Sequence, residues 1–381
     1  MEPSTPIYRT LQKIHGSCHC NVAFIGGSLT VATGASDGTS TNWRKLFVEY
    51  LYTQYHPVYH CQPGEIMSAV GAMESYAGVF LIPRNVAPNN PDLCFLEFSI
   101  NDRGQPDREL CKKGIEGCIR QLKSLKNNPD VVLIGAACRR GTDEHTGDLA
   151  DHSLHKEIAE YYGLAFIDVQ EYIYRKLEER GQTWDNIAVL FLENDVVHLN
   201  DYGNRLWFEA MREWFEQQDR LYMANRSTGP SHGPLIAPKF SDELQHTQLI
   251  DPSRRTRKIE LEGNWEKKSK AMVPWYMDNI LMGHPGDRLA FTFTGTTVGL
   301  LALVHQNGLK IEAKLDGTEL VGPFTKFHLQ FGKFYMLGHG LENKEHVLEL
   351  TVAQPSPKLH KLENPTAEIG YLTIAAPKQD I

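Results

Sequence analysis

The chain has 381 residues, of which 41% are hydrophobic and 23% are charged, a composition typical of soluble globular proteins. Its formal net charge of −8 at pH 7 argues against a nucleic-acid-binding protein, which would normally be basic. The longest apolar runs, such as residues 298–304, are too short to span a bilayer, and the N-terminus lacks the basic and apolar regions of a signal peptide. We therefore expect no nucleic-acid or membrane partner and a cytoplasmic location, or secretion if a leader has been removed.

The cysteines support the cytoplasmic expectation. There are seven of them, an odd number, and none follows Cys138. Cys94 lies in an apolar run and Cys118 lies in a helical pattern. This usage favours reduced, mostly buried thiols over a disulfide framework.

Strand and helix patterns alternate through the first 220 residues. Buried strands are predicted at residues 22–25, 92–100, 130–136 and 164–169. Apolar residues at helical spacing separate them, and the last helix is predicted to start after Asn200 or Asp201. Strands that alternate with helices predict a parallel sheet in a three-layer α/β/α sandwich.

The pattern changes after residue 222. Residues 223–238 are rich in Gly, Pro, Ser and Asn, which is typical of a linker. Short strands without a convincing helix follow, at residues 289–294, 297–304, 310–315 and 347–352, with a hairpin signal at Asp316-Gly317. We therefore predict an α/β domain over 1–222, a linker over 223–238 and an all-β sandwich over 239–381.

Three polar segments fall where the predicted strands and helices of the first domain meet. Ser28 follows the first strand, Asn101 follows the strand at 92–100, and Asp195 and His198 stand just before the last helix. Ligands of such sheets bind at the carboxyl ends of the strands. An Asp can orient an imidazole that activates a serine, and an Asn amide can donate to an oxyanion. Taken singly, each segment also fits an ordinary turn or helix cap.

Taken in this order, the segments resemble the conserved blocks of the SGNH (GDSL) hydrolase superfamily over roughly residues 20–220. The first block, normally Gly-Asp-Ser-Leu, reads Gly-Gly-Ser-Leu at 26–29, a version familiar in one subgroup of the superfamily. The third block, normally Gly-x-Asn-Asp, reads Ser-Ile-Asn-Asp at 99–102, and the fifth, Asp-x-x-His, is Asp195 and His198. The second block normally supplies a glycine N–H, for which the candidates are Gly71 and Gly64. The spacing to Pro91 favours Gly71 or its neighbour Ala72, which could also serve because the contribution is a backbone N–H.

The resemblance implies a flavodoxin-like fold and a serine esterase without metal or cofactor. Its catalytic residues would be Ser28, Asp195 and His198, and its oxyanion hole would comprise Ser28, Gly71 and Asn101. The Cys and His residues near the N-terminus form no metal-binding motif.

The resemblance implies a small-molecule or oligosaccharide ester as substrate, and an O-acetylated carbohydrate in particular, because carbohydrate esterases of this superfamily often carry a β-sandwich. Three alternatives stay open: a glycan O-acetyltransferase, a lipolytic or short-chain carboxylesterase, and a non-catalytic glycan-binding protein. The complete set of Ser28, Asn101, Asp195 and His198 argues against the last. Two nearby acids, Glu97 and Glu193, would suit a glycosidase, but the serine explains the site more simply.

Overall fold

The computed structural model describes residues 5–16, 18–138, 151–182, 189–225, 235–254, 256–269, 276–304, 309–320, 331–355 and 365–377. Contacts divide the chain into two compact units, Met1–Gly78 with Asn85–Asp242 and Val79–Arg84 with Glu243–Ile381. Most of the predicted linker 223–238 lies outside the described residues. None of the helices in these ranges combines the length and apolar character needed to cross a membrane.

The first unit is built on a parallel sheet. Within the described residues its five strands pair in the order β2-β1-β3-β4-β5, and they are β1 His19–Gly26, β2 Gln62–Ala69, β3 Leu93–Glu97, β4 Asp130–Gly135 and β5 Ala165–Asp168. The strand order reverses between β1 and β3, which pair in register from Val22 with Leu93 to Gly26 with Glu97. A ligand of such a sheet binds outside the carboxyl ends of the strands at this reversal.

Helices cover both faces of the sheet. They are α1 Tyr8–His15, α2 Ser28–Val31, α3 Trp43–Tyr59, α4 Ser75–Gly78, α5 Ser99–Arg103, α6 Arg108–Lys123, α7 Ser153–Tyr161, α8 Val169–Glu179 and α9 Asp201–Ala224. Short helical turns also occur at Val79–Leu81, Ile82–Val86 and Ala87–Asn89, of which the residues Val79–Arg84 belong to the second unit. Helices α1, α3, α8 and α9 contact one another in one group, and α6 contacts α4 and α7 in another. The predicted three-layer α/β/α sandwich is confirmed.

An aromatic core on one face of the sheet supports the end of β1. The buried rings of Trp43 and Trp207 stack with their centroids 4.9 Å apart, and Phe24 packs edge-on against Trp43. The Trp43 indole N–H also donates to the Leu29 carbonyl oxygen at 3.1 Å. Because α3 and α9 are joined through these rings, the residues directly after β1 are held against a rigid layer.

One sequence expectation for this sheet was wrong, and one strand was not predicted. The strand predicted at 92–100 ends at Glu97, and Ser99 and Ile100 belong to α5. The chain turns there because the Asp102 N–H donates to the Phe98 carbonyl and the Ser99 hydroxyl accepts from the Ala136 N–H. The strand β2 was not predicted, because it begins with Gln, Pro and Gly, which are poor strand formers, and half of it is partly exposed.

The second unit is a β-sandwich, as predicted. Its described residues from 243 onward form two antiparallel sheets, one ordered β13-β12-β15-β10-β7 and the other β14-β11-β16-β9-β8, with β6 paired to β16. The strands are β6 Thr247–Ile250, β7 Ile259–Glu262, β8 Glu266–Ser269, β9 Asn279–Gly283, β10 Arg288–Gly295, β11 Thr297–Val304, β12 Ile311–Leu315, β13 Thr318–Leu320, β14 Phe331–Gly338, β15 Lys344–Val352 and β16 Ala367–Ala375.

The predicted strands of this unit correspond to β10, β11, β12 and β15, displaced at their ends by at most three residues. The Asp316-Gly317 hairpin is also confirmed, because Leu315 pairs with Thr318 and both turn residues have positive φ angles of 49° and 78°.

Candidate functional site

Ser28 stands at the carboxyl end of the central strand β1 and is the first residue of α2. The turn is fixed on both sides of it: the Gly27 N–H donates to the Glu97 carbonyl at 3.3 Å, and the Val31 N–H donates to the Gly27 carbonyl at 3.0 Å. Ser28 itself is half-buried. Its hydroxyl therefore stands at the edge of the sheet where ligands of this fold bind.

The two glycines before Ser28 are required by close packing. A Cβ on Gly26 would collide with the Glu97 carbonyl oxygen and the Thr30 hydroxyl, and a Cβ on Gly27 would collide with the Asn101 side-chain oxygen. The side chains and backbone around the turn therefore leave room for glycine alone at the two positions before Ser28.

Asp195 and His198 lie on a short loop that is closed on itself before α9. Phe191 and Leu199 form an isolated antiparallel bridge, and the Leu192 N–H donates to the His198 carbonyl at 3.0 Å. The Asn200 side chain then caps α9 by accepting from the N–H groups of Tyr202 and Gly203. Because both ends of the loop are bonded, the imidazole is presented from a fixed backbone.

The structure brings Ser28, His198 and Asp195 into one chain of hydrogen bonds. The Ser28 hydroxyl lies 2.8 Å from His198 Nε2, and His198 Nδ1 lies 2.7 Å from Asp195 Oδ2. Asp195 Oδ1 also accepts from the N–H groups of Val197 and His198, each at 2.8 Å. An imidazole held in this way donates from Nδ1 and keeps Nε2 as an acceptor for the serine proton.

The charge of Asp195 is favoured by its neighbours. Partial burial would raise the pKa of this carboxyl, but the hydrogen bonds from the backbone N–H groups of His198 and Val197 and from the His198 ring lower it below its ordinary value. Asp195 is consequently ionised at neutral pH and can stabilise a positive imidazolium.

The other predicted residues follow the strands on either side of β1. Asn101 lies in α5 after β3, with its side-chain oxygen against Gly27. Gly71 and Ala72 form a turn after β2, and Ala72 has a positive φ of 54°. The Val70 N–H donates to the Gly26 carbonyl at 3.3 Å, which ties this turn to the end of β1. Which of the two N–H groups serves the oxyanion hole stays a prediction.

The sequence did not reveal a buried network beside Asn101. The Asp102 carboxylate accepts from the Ser75 N–H at 2.9 Å and lies 3.0 Å from His155 Nε2. Asp102 and His155 are both almost fully buried. Asp102 was visible as the last residue of the third block, but His155 is 53 positions away and carried no signal. The network joins α5 to the segment that follows Gly71 and Ala72.

The two acids that would suit a glycosidase have different environments. Glu97 is buried at the end of β3, where its side chain bonds to Thr30, and Glu193 is exposed on the loop before Asp195. In the described part of the chain, no group of three or more His, Cys, Asp or Glu side chains is placed to hold a metal ion. All seven cysteines are free, and only Cys18 is exposed.

Two solved structures share the fold of this chain. A two-domain esterase (CEX) active on acetylated mannans, co-crystallised with mannopentaose, matches 98% of this chain and 95% of its own, with a TM-score of 0.79 and 18% identity. A second crystal structure of a two-domain esterase (CEX) active on acetylated mannans matches 98% of this chain and 96% of its own, with a TM-score of 0.80 and 17% identity. At these identities the likeness establishes the fold alone.

A family model supplies the class of protein. Residues 24–206 match the GDSL-like lipase/acylhydrolase family, and this range contains Ser28, Asn101, Asp195 and His198. No curated protein sequence matches the chain. Over residues 24–206 the chain is therefore similar to the GDSL-like lipase/acylhydrolase family, and this similarity supports a carboxylic ester hydrolase.

Proposed function

We propose that this protein is a serine esterase that removes O-acyl groups, O-acetyl groups in particular, from a carbohydrate through an acyl-enzyme. The observation that carries the proposal is the unbroken chain of hydrogen bonds from Ser28 Oγ through His198 to Asp195. A serine hydroxyl is a weak nucleophile at neutral pH, and an adjacent oriented base is the usual means of activating it.

The first half of the reaction acylates the serine. Ser28 Oγ attacks the ester carbonyl carbon while His198 Nε2 accepts the hydroxyl proton, and Asp195 stabilises the imidazolium. The tetrahedral intermediate collapses with cleavage of the bond between the carbonyl carbon and the alcohol oxygen. His198 gives its proton to that oxygen, so the deacylated sugar leaves as a neutral alcohol.

The second half regenerates the enzyme. Water attacks the acyl group on Ser28 and gives a proton to His198, which returns it to Ser28 Oγ as the carboxylic acid leaves. The N–H groups of Ser28 and Gly71 and the side-chain amide of Asn101 would hold the oxyanion in both halves. Each such donor typically contributes about 10²–10³ in rate.

The carbohydrate is proposed from the architecture of the whole chain. The two esterase structures that match 98% of this chain, including its β-sandwich, are described as active on acetylated mannans. An acetylated manno-oligosaccharide is therefore the first substrate to test.

The test measures acetate released from acetylated manno-oligosaccharide and from a small aryl acetate, with and without an unacetylated sugar acceptor. We expect acetate release without acceptor from both substrates, and loss of both activities in Ser28→Ala. Ser153→Ala, which changes an exposed serine at the start of α7, serves as the matched control and should keep both.

Three outcomes would contradict the proposal. Full activity of Ser28→Ala would show that Ser28 is not the nucleophile. Turnover of the aryl acetate without turnover of the manno-oligosaccharide would show that the substrate is not this carbohydrate. Acetyl transfer to the sugar acceptor without release of free acetate would identify a glycan O-acetyltransferase.

A further inference from the structure

A buried acid that takes no part in the proposed proton transfers packs against the turn at residues 26–30, which carries Ser28. Glu97 is the last residue of β3 and pairs in register with Gly26 of β1. Only 1% of its surface is exposed. Its backbone carbonyl accepts from the Gly27 N–H at 3.3 Å, and its side-chain Oε2 lies 2.9 Å from the Thr30 hydroxyl. Glu97 therefore bonds to the chain on both sides of Ser28.

The packing around Gly26 is tight and keeps this side chain against Thr30. Thr30 is fully buried, and a Cβ on Gly26 would collide with the Thr30 hydroxyl and the Glu97 carbonyl oxygen. The same Cβ would come within 3.1 Å of Glu97 Oε2. Since the space between the two strands is filled, the contact between Glu97 and Thr30 fixes where the first turn of α2 begins.

The surroundings of Glu97 disfavour a charge. Its second oxygen, Oε1, is buried and has no hydrogen-bond partner within the described residues. Among the described residues, the charged group that affects the pKa of Glu97 is Asp102 of α5, which is also an acid. Asp102 itself lies 3.0 Å from His155 Nε2. Burial raises the pKa of Glu97 to about 8, against the hydrogen bonds from Thr30 and Gly27 that lower it, and the charge of Asp102 adds a smaller increase.

Ionisation of Glu97 would act on the reaction in two ways. A buried carboxylate without a cation is costly, so the side chain would be driven towards water and away from Thr30. A negative charge close to the serine turn would also oppose the oxyanion that forms on the acyl carbon. Both effects lower the rates of acylation and of deacylation, because an oxyanion forms in each step.

We propose that Glu97 is a positioning residue for Ser28, which holds the turn at residues 26–30 through Thr30 and supports turnover only while its carboxyl keeps a proton. This inference rests on the proposed function, because it takes Ser28 as the nucleophile. It predicts an alkaline limit of activity that is set by Glu97 and that the hydrogen-bonded chain of Ser28, His198 and Asp195 would not produce by itself.

The deciding experiment compares the pH dependence of kcat for wild type and Glu97→Gln between pH 6 and pH 9.5, with an aryl acetate corrected for spontaneous hydrolysis. The glutamine can still accept the Thr30 hydroxyl but cannot ionise. We expect wild-type kcat to fall about tenfold per pH unit above about pH 8, and the ratio of kcat at pH 9.5 to kcat at pH 7 to rise at least about tenfold in Glu97→Gln. Glu193→Gln, which changes an exposed acid, should keep the wild-type profile.

An alkaline limb with the same apparent pKa in wild type and Glu97→Gln would overturn the inference. Ser28→Ala measured alongside separates this failure from that of the proposed function. If Ser28→Ala is inactive while the two profiles coincide, only the role of Glu97 is wrong. If Ser28→Ala is fully active, the proposed function is wrong as well.

A second measurement covers the case in which Glu97→Gln does not fold. Infrared spectra of the wild-type protein should show the carbonyl band of a protonated carboxyl at pH 7.5, which disappears as the pH rises past about 8. Asp130, another buried acid, has a pKa raised by burial to about 6 and is mostly ionised at pH 7.5. The absence of the band at pH 7.5 would overturn the inference independently of any variant.

Discussion

Asn101 lies directly against Gly27, so that a Cβ added to Gly27 would collide with the Asn101 side-chain oxygen. Gly27 has φ −94°, which any residue can adopt, so the backbone conformation does not require glycine at this position. The space taken by Asn101 does require it. The residue by which this chain departs from the Gly-Asp-Ser form is thus coupled to the side chain that we assign to the oxyanion hole.

Gly27→Ala should displace Asn101 and reduce kcat for an aryl acetate by about 10²-fold or more, the effect of losing one oxyanion donor. Gly104→Ala is the matched control, because Gly104 directly follows α5 and a Cβ there meets nothing within 4 Å. It should leave kcat within about twofold of wild type. Equal kcat values for Gly27→Ala and wild type would show that Asn101 is not held by this contact.

The sequence signals for Ser28, Asp195 and His198 are local, and the structure brings these three side chains together. Ser28 follows a buried strand and precedes a helix, and Asp195 and His198 lie on one short loop before another helix. The neighbouring strand and helix patterns were therefore enough to predict that these residues lie at the edge of the sheet. The strand predicted through Ile100 was too long, because an apolar run cannot show where a strand ends and a buried helical turn begins.

The environment of Glu97 and the partner of Asp102 depend on tertiary packing. In the sequence, Glu97 is only the last residue of the strand Leu93–Glu97. The fold is needed to show that the Thr30 hydroxyl contacts its side chain. His155 meets Asp102 because α7 packs against α6 and β4, a contact that no local pattern encodes. Both residues are connected to the surroundings of Ser28 by hydrogen bonds between elements that are distant in the sequence.

Asp195→Asn should reduce kcat by about 10⁴-fold at pH 7, because an amide facing His198 Nδ1 favours the tautomer that cannot accept the Ser28 proton. The aryl acetate assay measures this loss. Glu193→Gln, on the same loop but exposed, is its matched control and should be unaffected. If Glu193→Gln lost as much activity as Asp195→Asn, a mechanism with two carboxylates would replace the serine mechanism.

Glu116 should be a main determinant of stability in the first unit. Its buried side chain accepts from the successive N–H groups of Lys239, Phe240 and Ser241 and from the Tyr162 hydroxyl. Hydrogen bonds to charged groups contribute about 1.5–3 kcal/mol each, so we expect Glu116→Ala to lower the free energy of unfolding by about 3 kcal/mol or more.

Urea unfolding followed by tryptophan fluorescence measures the effect of Glu116→Ala. Glu109→Ala, on the same helix, removes an exposed acid paired with Lys112 and should cost less than about 1 kcal/mol. Similar costs for the two variants would mean that water replaces the bonds to Glu116.

His346 should make the β-sandwich more stable at low pH. It is buried on β15, with Nδ1 2.7 Å from Asp316 Oδ2 and Nε2 2.9 Å from the Glu342 carbonyl oxygen. Burial would lower its pKa, but the hydrogen bonds to Asp316 and Glu342, which the protonated ring makes with both nitrogens, raise it overall. The contribution to stability is therefore fully present below the unfolded-state pKa of about 6.5 and is lost as the pH rises through the folded-state value.

The urea midpoint of His346→Gln should accordingly fall further below that of wild type at pH 5.5 than at pH 8.5. Asp316→Asn removes the negative charge of the acceptor and should weaken this pH dependence with His346 still in place. A difference between His346→Gln and wild type that is the same at both pH values would contradict the assigned bonds.

The central claim is that Ser28 is the nucleophile of an acyl-enzyme, and covalent labelling tests it most directly. The protein is treated with a fluorophosphonate, which phosphonylates activated serines, and then analysed by intact-mass and peptide mass spectrometry. We predict one adduct per chain, located on Ser28, absent from Ser28→Ala and formed in parallel with the loss of aryl acetate hydrolysis. An adduct on another residue, or undiminished labelling of Ser28→Ala, would contradict the account.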